Sequence, residues 1–334
     1  MPTLVRAACL TNYDEVAAAA SLNPARMLLD AGLSPSVLNE PDLMIPVERV
    51  GRLLQASAEA SGMESFGLSM ARKRLLSNLG AVGLLMRDQE TLRASLGLLV
   101  RYLALLNGAM TLAVEESGDT VVIRELLIGG GTRAPTRQRV ELALGVMVRL
   151  IRQLIGREWQ PKRVCFEHAA PRDLSLHNQL FGYNLEFNYE FNCIVCAKSD
   201  LDMRNEFADP AMIRYAQKLL DTTVKLGDGA MLDDVRRTIL LLLPSGRCSI
   251  EQVSEHLGVV PRTIQRRLNE KGQSFSSLMN DIRKELATRY VFETQRSLTE
   301  IAELLGFTAP SSFSRWYQMQ FGCSAKENRS KAGL

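Results

Sequence analysis

No stretch of the 334-residue chain reaches about eighteen consecutive apolar positions, the length a membrane-spanning helix requires, so no such helix is expected. The opening residues, MPTLVRAACLTNYDEVAAAA, have no basic flank leading into a sustained apolar core, and Asp14 and Glu15 interrupt them. No secretory signal is read there, and the expected location is the cytoplasm. Histidine is scarce: His168, His177 and His256 are the only three. His168 follows Glu167 on an expected strand, where adjacent side chains diverge. No Ser/His/Asp or paired-carboxylate arrangement can be assembled, so no enzyme activity is expected and no catalytic residue is assigned.

Six cysteines are scattered through the chain, a pattern that suits a reducing compartment and small buried thiols. Cys193 and Cys196 form one Cys-x-x-Cys without a second pair. On a strand, positions three apart face opposite ways and cannot chelate one ion, so neither metal nor redox chemistry is expected. Gly129-Gly130-Gly131 lacks the downstream Gly-Lys-Ser/Thr of a phosphate-binding loop and reads as a turn, of a kind that can border a ligand pocket. No cofactor is assigned.

Net charge is also small, +3, but it is unevenly placed. Residues 232–334 hold 15 Lys and Arg against 11 Asp and Glu, while the rest of the chain holds 25 against 26. The basic excess therefore lies in the C-terminal third. With 46% hydrophobic and 23% charged residues, the remainder has the composition of a globular protein large enough for two domains.

What is present in that basic third is an internal echo. SIEQVSEHLGVVPRTIQRRLNEKGQSF, residues 249–275, returns as LTEIAELLGFTAPSSFSRWYQMQFG, residues 298–322. Val253, Leu257, Gly258 and Val259 correspond to Ile301, Leu305, Gly306 and Phe307. In the first copy Ser249 is placed to cap a helix, with Gln252 in the capping-box position. Val253 and Leu257 face inward, Gly258 ends the helix in a left-handed conformation, and Pro261 opens a second helix. Ile264 and Leu268 then face the first helix, leaving Arg262, Thr263, Gln265 and Arg266 outside. In the second copy the turn is one residue longer. Phe313, Trp316 and Tyr317 form the packing side, and Pro310, Ser311, Ser312, Ser314 and Arg315 lie outside. Between the copies, 274–294 reads as one long helix. These are two helix-turn-helix units, about 249–269 and 298–320. Their second helices suit major grooves roughly one helical turn, about 34 Å, apart. There Arg pairs with guanine edges and Gln with adenine edges, while Ser, Thr and backbone amides take phosphates.

The N-terminal portion mixes periods. PVERVGRLLQASAEAS puts Val47, Val50, Leu53 and Leu54 at helical spacing, and ETLRASLGLLVRYLALLNGAM reads as a second helix with Thr91 in its early turn. MTLAVEESGDTVVIREL reads as a hairpin about Ser117-Gly118-Asp119. Residues 137–156 return to helix, with Val140, Leu144, Met147, Val148, Ile151 and Leu154 along one side. Arg149, Arg152 and Arg157 on that helix offer charge to an acidic effector or a dimer interface. KRVCFEHA and LEFNYEFNCIVCA look like strands. KLGDGAML, residues 225–232, is the best punctuation between domains.

The residues IAELLGFTAPSSFSRWYQ closely resemble the C-terminal signature of the AraC/XylS family of bacterial transcription regulators, and LGVVPRTIQRRLNEKGQSF resembles the first helix-turn-helix of that family. The resemblance covers 235–325 and implies a seven-helix, bipartite DNA-binding domain. It places Arg262, Gln265 and Arg266 where the first recognition helix meets DNA, and Pro310, Ser311, Ser312 and Arg315 at the corresponding places of the second. FGCSAKENR departs from the pattern, with Ala325 and Asn328 in place of a proline and an aromatic. LGAVGLLMRDQETLRASLGLLVRYL and the stretch from Val164 to Pro210 resemble the effector domain called arabinose-binding-like, found in regulators of ornithine and arginine catabolism and of virulence. That name does not imply arabinose as ligand.

The expected fold is an α+β effector-sensing and dimerisation domain, 1–230, followed by an all-α DNA-binding domain, 231–334, with two helix-turn-helix motifs joined by a long helix. The expected function is sequence-specific regulation of transcription, as an activator that responds to a small-molecule effector. Its partners would be double-stranded promoter or operator DNA, RNA polymerase and a second copy of the chain. The alternative is a DNA-binding regulator whose N-terminal domain only dimerises or binds a partner protein, with no small ligand.

Overall fold

The computed structural model describes residues 3–127, 137–205, 208–209, 211–213, 228–246, 248–293 and 296–331. The Gly129–Gly131 turn lies outside the described residues. The chain divides into two compact units, Met1–Lys225 and Leu226–Leu334. No helix of the described residues is long and apolar enough to cross a membrane.

In the first unit, strands β1 (Leu4–Arg6) and β2 (Met44–Pro46) pair antiparallel. Helices α1 (Tyr13–Ala19), α2 (Pro24–Asp30), α3 (Val47–Ser61), α4 (Phe66–Ala71), α5 (Ala81–Arg87) and α6 (Leu92–Leu106) surround them along the chain. Thr91 caps α6 by accepting from Ala94 N–H at 3.2 Å. The chain then makes the hairpin β3 (Met110–Ser117) and β4 (Thr120–Leu127), turning at Gly118 with φ of 57°. After α7 (Arg137–Ile155) come β5 (Arg163–Cys165), α8 (Ser175–Phe181), β6 (Leu185–Glu186), β7 (Asn192–Ala197) and α9 (Lys198–Leu201). The main sheet has the order β3-β4-β7-β5-β6, antiparallel except for the β5–β6 pair.

Helix α7 is the centre of this unit. The expected stripe of Val140, Leu144, Met147, Val148, Ile151 and Leu154 is buried, but so are Leu142, Leu150, Gln138, Arg139 and Glu141. A helix buried nearly all round is a core element, not a surface one. Glycine permits the closest of its contacts: a Cβ on Gly67 of α4 would lie 2.1 Å from the Gln138 carbonyl oxygen, and one on Gly145 would lie 2.7 Å from Ala71 Cβ.

Two strand expectations are corrected. LEFNYEFNCIVCA is not one strand; it breaks between β6 and β7, where Asn188 takes a φ of 56°. Asparagine tolerates that left-handed conformation, which reverses the chain. In KRVCFEHA the strand ends at Cys165, and Phe166 and His168 keep only irregular backbone bonds to Glu186, Tyr189 and Asn188, so His168 does not sit on a strand.

The second unit is helical: α10 (Asp228–Leu242), α11 (Ile250–Leu257), α12 (Pro261–Glu270), α13 (Phe275–Glu293), α14 (Leu298–Leu304), α15 (Pro310–Phe321) and α16 (Ala325–Lys331). Val235, Ile239, Val253, Ile264, Ile282, Ile301, Leu305, Phe313 and Tyr317 meet in one core. Both turns share one hydrogen-bond pattern. Gly258 N–H donates to Glu255 O and Val259 N–H to Ser254 O, and Gly306 N–H donates to Glu303 O and Phe307 N–H to Ala302 O. This is the Schellman termination, with glycines at φ of 65° and 70°. Gly306 is fixed a second time, because a Cβ there would meet the Leu243 carbonyl oxygen at 2.5 Å.

The two copies differ in detail. Ser249 accepts from Gln252 N–H, but the Gln252 side-chain oxygen finds no partner, so the box is half made. In the second copy Ser297 and Glu300 cap each other reciprocally. Leu257, expected inside, is only half-buried, whereas its counterpart Leu305 is fully enclosed. Leu305→Ala should therefore destabilise the second unit by about 2–5 kcal/mol, and Leu257→Ala by roughly half that or less. Chemical denaturation followed through Trp316, in a Trp159→Phe background, reads this difference; equal losses would contradict the packing described.

Candidate nucleic-acid interface

Each recognition helix starts in the same way. Val260 and Ala309 are extended N-cap residues without a side-chain cap, followed by Pro261 and Pro310 at the first helical position. An apolar N-cap offers no side-chain acceptor to the first turn, where the Thr263 and Ser312 N–H groups turn back to the Val260 and Ala309 carbonyls at 2.9 and 3.0 Å. On α12, Ile264 and Leu268 are buried, Arg262, Gln265 and Arg266 are exposed, and Thr263 is half-buried. Arg262, Gln265 and Arg266 fall at helical spacing on one side. On α15, Phe313, Trp316 and Tyr317 are buried, Pro310, Ser311, Ser314 and Arg315 are exposed, and Ser312 is half-buried. Among the described residues Arg262 and Arg315 make no internal ion pair, and Arg266 has only Glu270 at 3.8 Å. Such a spaced, solvated pair is weak and is readily exchanged for a base edge or phosphate.

The helix α13 holds the second helix-turn-helix in place through two polar contacts that sequence reasoning missed. Arg283 donates from Nε to Leu305 O at 3.0 Å, and its guanidinium lies 4.6 Å from the Phe307 ring centroid. It thus binds the carbonyl end of α14 where the turn begins. Asn280 accepts from Trp316 Nε1 at 2.6 Å and donates to Gln320 Oε1 at 3.2 Å. Behind α15, Tyr317 stacks on Phe321 at 4.3 Å. The unusual end of the chain also joins this layer: Ala325 is buried, and Asn328 donates to Tyr317 OH at 3.1 Å. Asn328 therefore anchors α16 by a hydrogen bond in the place of an aromatic contact.

Several N-terminal residues singled out from sequence have structural partners instead. Arg152 is buried, donating from Nε to Trp159 O at 2.9 Å and from its terminal nitrogen to Gln160 Oε1 at 2.6 Å, so it is not presented to an effector or a partner. Arg149 is half-buried and Arg157 exposed. Cys193 packs with Cys165 on one face of the sheet, while Cys196 enters the main core on the other. His168 and His177 both approach Glu141 Oε1, at 3.7 and 3.1 Å, beside Phe166, Phe181 and Phe187. The strand expected at His168 had hidden this cluster.

With that geometry in place, the chain can be compared with known proteins. A family model described as the arabinose-binding domain of AraC transcription regulator matches residues 22–205, more than half of the chain. The chain belongs to the AraC family of transcription regulators. A helix-turn-helix domain model matches 253–331, the region of the two repeated turns. Similar proteins include the HTH-type transcriptional regulator VirS of Mycobacterium tuberculosis, 27% identical over 99% of this chain and 98% of the relative. The ornithine utilization regulator of Pseudomonas aeruginosa is 25% identical over 88% of this chain and 87% of its own length. Among solved structures, the transcriptional regulator CdpR of Pseudomonas aeruginosa aligns over 91% of this chain and 96% of its own, at 19% identity and a TM-score of 0.44. This AraC-family chain is thus a DNA-binding transcription regulator with an arabinose-binding-like N-terminal domain, and not an enzyme.

His256, on the helix behind the first recognition helix, has its pKa pushed down to about 4 by burial. Unfolded histidine takes its proton near pH 6.5, so between about 6.5 and 4 the unfolded state binds more protons. Stability of the second unit should therefore fall as pH drops through that window, on the order of 1 kcal/mol by pH 5 for a half-buried ring. His256→Gln should flatten the profile, as read by denaturation through Trp316 at pH 7 and pH 5. A profile unchanged by the substitution would assign the pH dependence elsewhere.

Proposed function

We propose that this regulator is a sequence-specific, promoter-binding activator working in the cytoplasm, whose N-terminal unit receives a small-molecule effector. The observation that carries the DNA reading is the repetition itself. Two turns with the same Schellman bonds, the same uncapped entry and the same N1 proline stand on either side of one long helix. A lone helix-turn-helix normally needs a dimer to read two half-sites; two in one chain can address adjacent major-groove faces.

In this reading Arg262 and Arg266 take guanine edges and Gln265 an adenine edge, with Thr263 on a phosphate. On α15, Arg315 reads a base, Ser311 and Ser312 hold phosphates, and Pro310 shapes the entry. The N-terminal unit forms a homodimer, which places two such bipartite readers on one promoter, and activation requires a contact with RNA polymerase. Effector binding shifts the population between states of different DNA affinity or polymerase contact. That one relative is named for ornithine utilization supports a metabolic effector in general terms.

The test is a titration of the full chain against genomic fragments, including its own upstream region, at two salt concentrations. Tight, salt-sensitive binding to a few fragments is the expected result. Arg266→Ala and Arg315→Ala should each weaken binding to such a fragment by about 1–3 kcal/mol while leaving the melting curve unchanged. Wild-type affinity in either variant would remove that residue from the reading face.

A further inference from the structure

Inside the first unit, between the N-terminal segment at Val5–Cys9 and helices α3, α6 and α7, lies a cavity of about 140 Å³. Its walls are mainly apolar, with Leu54, Leu99, Leu103, Leu142, Val146 and Met147 among them. Three arginines interrupt this lining: Arg6, which pairs with the exposed Asp42, and Arg74 and Arg139, only 4% and 5% exposed. Among the described residues no aspartate or glutamate lines the cavity.

Arg74 is the informative one. One terminal nitrogen donates to Ala8 O at 2.5 Å and the other to Cys9 O, while Nε has no partner. Among the described residues it forms no ion pair. The neighbouring Cys9 supplies no compensating charge, because burial pushes its thiol up to about 11. Burial also draws the Arg74 guanidinium down to about 10, still well above neutrality, so the group stays cationic. Arg139 is buried against the same space, with Glu48 as the carboxylate whose field it feels. Enclosing a guanidinium without a counter-charge is costly, and such groups are ordinarily paired. The carbonyl bonds satisfy hydrogen bonding but leave the charge itself unbalanced.

We propose that this cavity is the effector site and that it takes a small amphiphilic monocarboxylate, with the carboxylate on Arg74 and the apolar body among the leucines of α3, α6 and α7. This rests on the effector reading given above. The Nε–H that the two carbonyl bonds leave unpartnered can donate to a carboxylate oxygen, and the absence of carboxylates among the described lining residues disfavours cationic ligands. Size narrows the class. At roughly 10–15 Å³ per water-sized occupant, 140 Å³ admits on the order of ten non-hydrogen atoms. That corresponds to a carboxylic acid of about eight carbons, straight-chain or aromatic. Larger ligands would require the walls to move, and a free amino acid would leave its ammonium in a cavity lined by three arginines.

The probe is octanoate, with octanol and octylamine as neutral and cationic controls of equal length, titrated calorimetrically into the full chain. Saturable octanoate binding, with octanol weaker and octylamine absent, is expected. Arg74→Met should weaken octanoate by about tenfold or more, the loss of a charge-assisted bond, and leave octanol unchanged. Arg74 also braces the N-terminal segment, so a second variant is needed. Ala143→Phe keeps Arg74 and fills the cavity; it should abolish binding of octanoate and octanol alike while Trp159 fluorescence remains native. If octanol or octylamine binds and octanoate does not, the carboxylate assignment falls and the effector reading survives. If no probe binds at millimolar concentration and Ala143→Phe activates the target promoter like wild type, the site and the effector reading fall together. Octanoate binding unaffected by Ala143→Phe would overturn the location.

Discussion

The DNA-reading half of the molecule depends on how one arginine of the long helix seats the second turn. Arg283 reaches the carbonyl of Leu305 and lies over Phe307, while Gly306 sits too close to the Leu243 carbonyl for any side chain. The end of α14 is therefore held from two sides, by α13 and by the turn that follows α10. Asn280, one helical turn earlier on α13, holds the indole of Trp316 on α15. The recognition helix cannot rotate without breaking that bond and opening the aromatic stack behind it. Rigid placement matters for a groove-reading helix, because base contacts require their donors within hydrogen-bond distance.

The N-terminal unit is organised by a different constraint, the near-complete burial of α7. Polar side chains on a buried helix need internal partners. Gln138 finds the Gly67 N–H and the Glu64 carbonyl, and Arg152 finds Trp159 and Gln160. Glu141 stands among Arg137, His168 and His177. The same helix contributes Arg139 and Leu142 to the cavity wall. One element thus joins the sheet, the helices packed on it and the enclosed space, so a change in any of them is felt by the others.

Much of the second unit was legible in the sequence because its punctuation is local. A glycine at the helix end, a proline at the next helix start and apolar residues at helical spacing are short-range signals, and both turns carry them. The groups that fix the units in place were not legible. Arg283 meets Leu305, and Asn280 meets Trp316, across separations that only tertiary packing brings together. In the first unit, the continuous strand pattern of KRVCFEHA concealed that the strand ends at Cys165, and with it the approach of His168 to Glu141. Leu257 shows the opposite error: its spacing is that of a core residue, yet the loosely covered end of α11 leaves it half-buried. A cavity has no signature in sequence at all, since it is defined by where side chains fail to meet.

The separation of faces on α12 and α15 has an evolutionary consequence. Ile264, Leu268, Phe313, Trp316 and Tyr317 fasten the helices, while Arg262, Gln265, Arg266, Ser311 and Arg315 are exposed. Substitutions among the second set leave folding almost untouched. If these residues read DNA as proposed, a duplicated copy of this gene could acquire new target sites one residue at a time, through intermediates that all remain folded, and each of the two helices could diverge at its own pace.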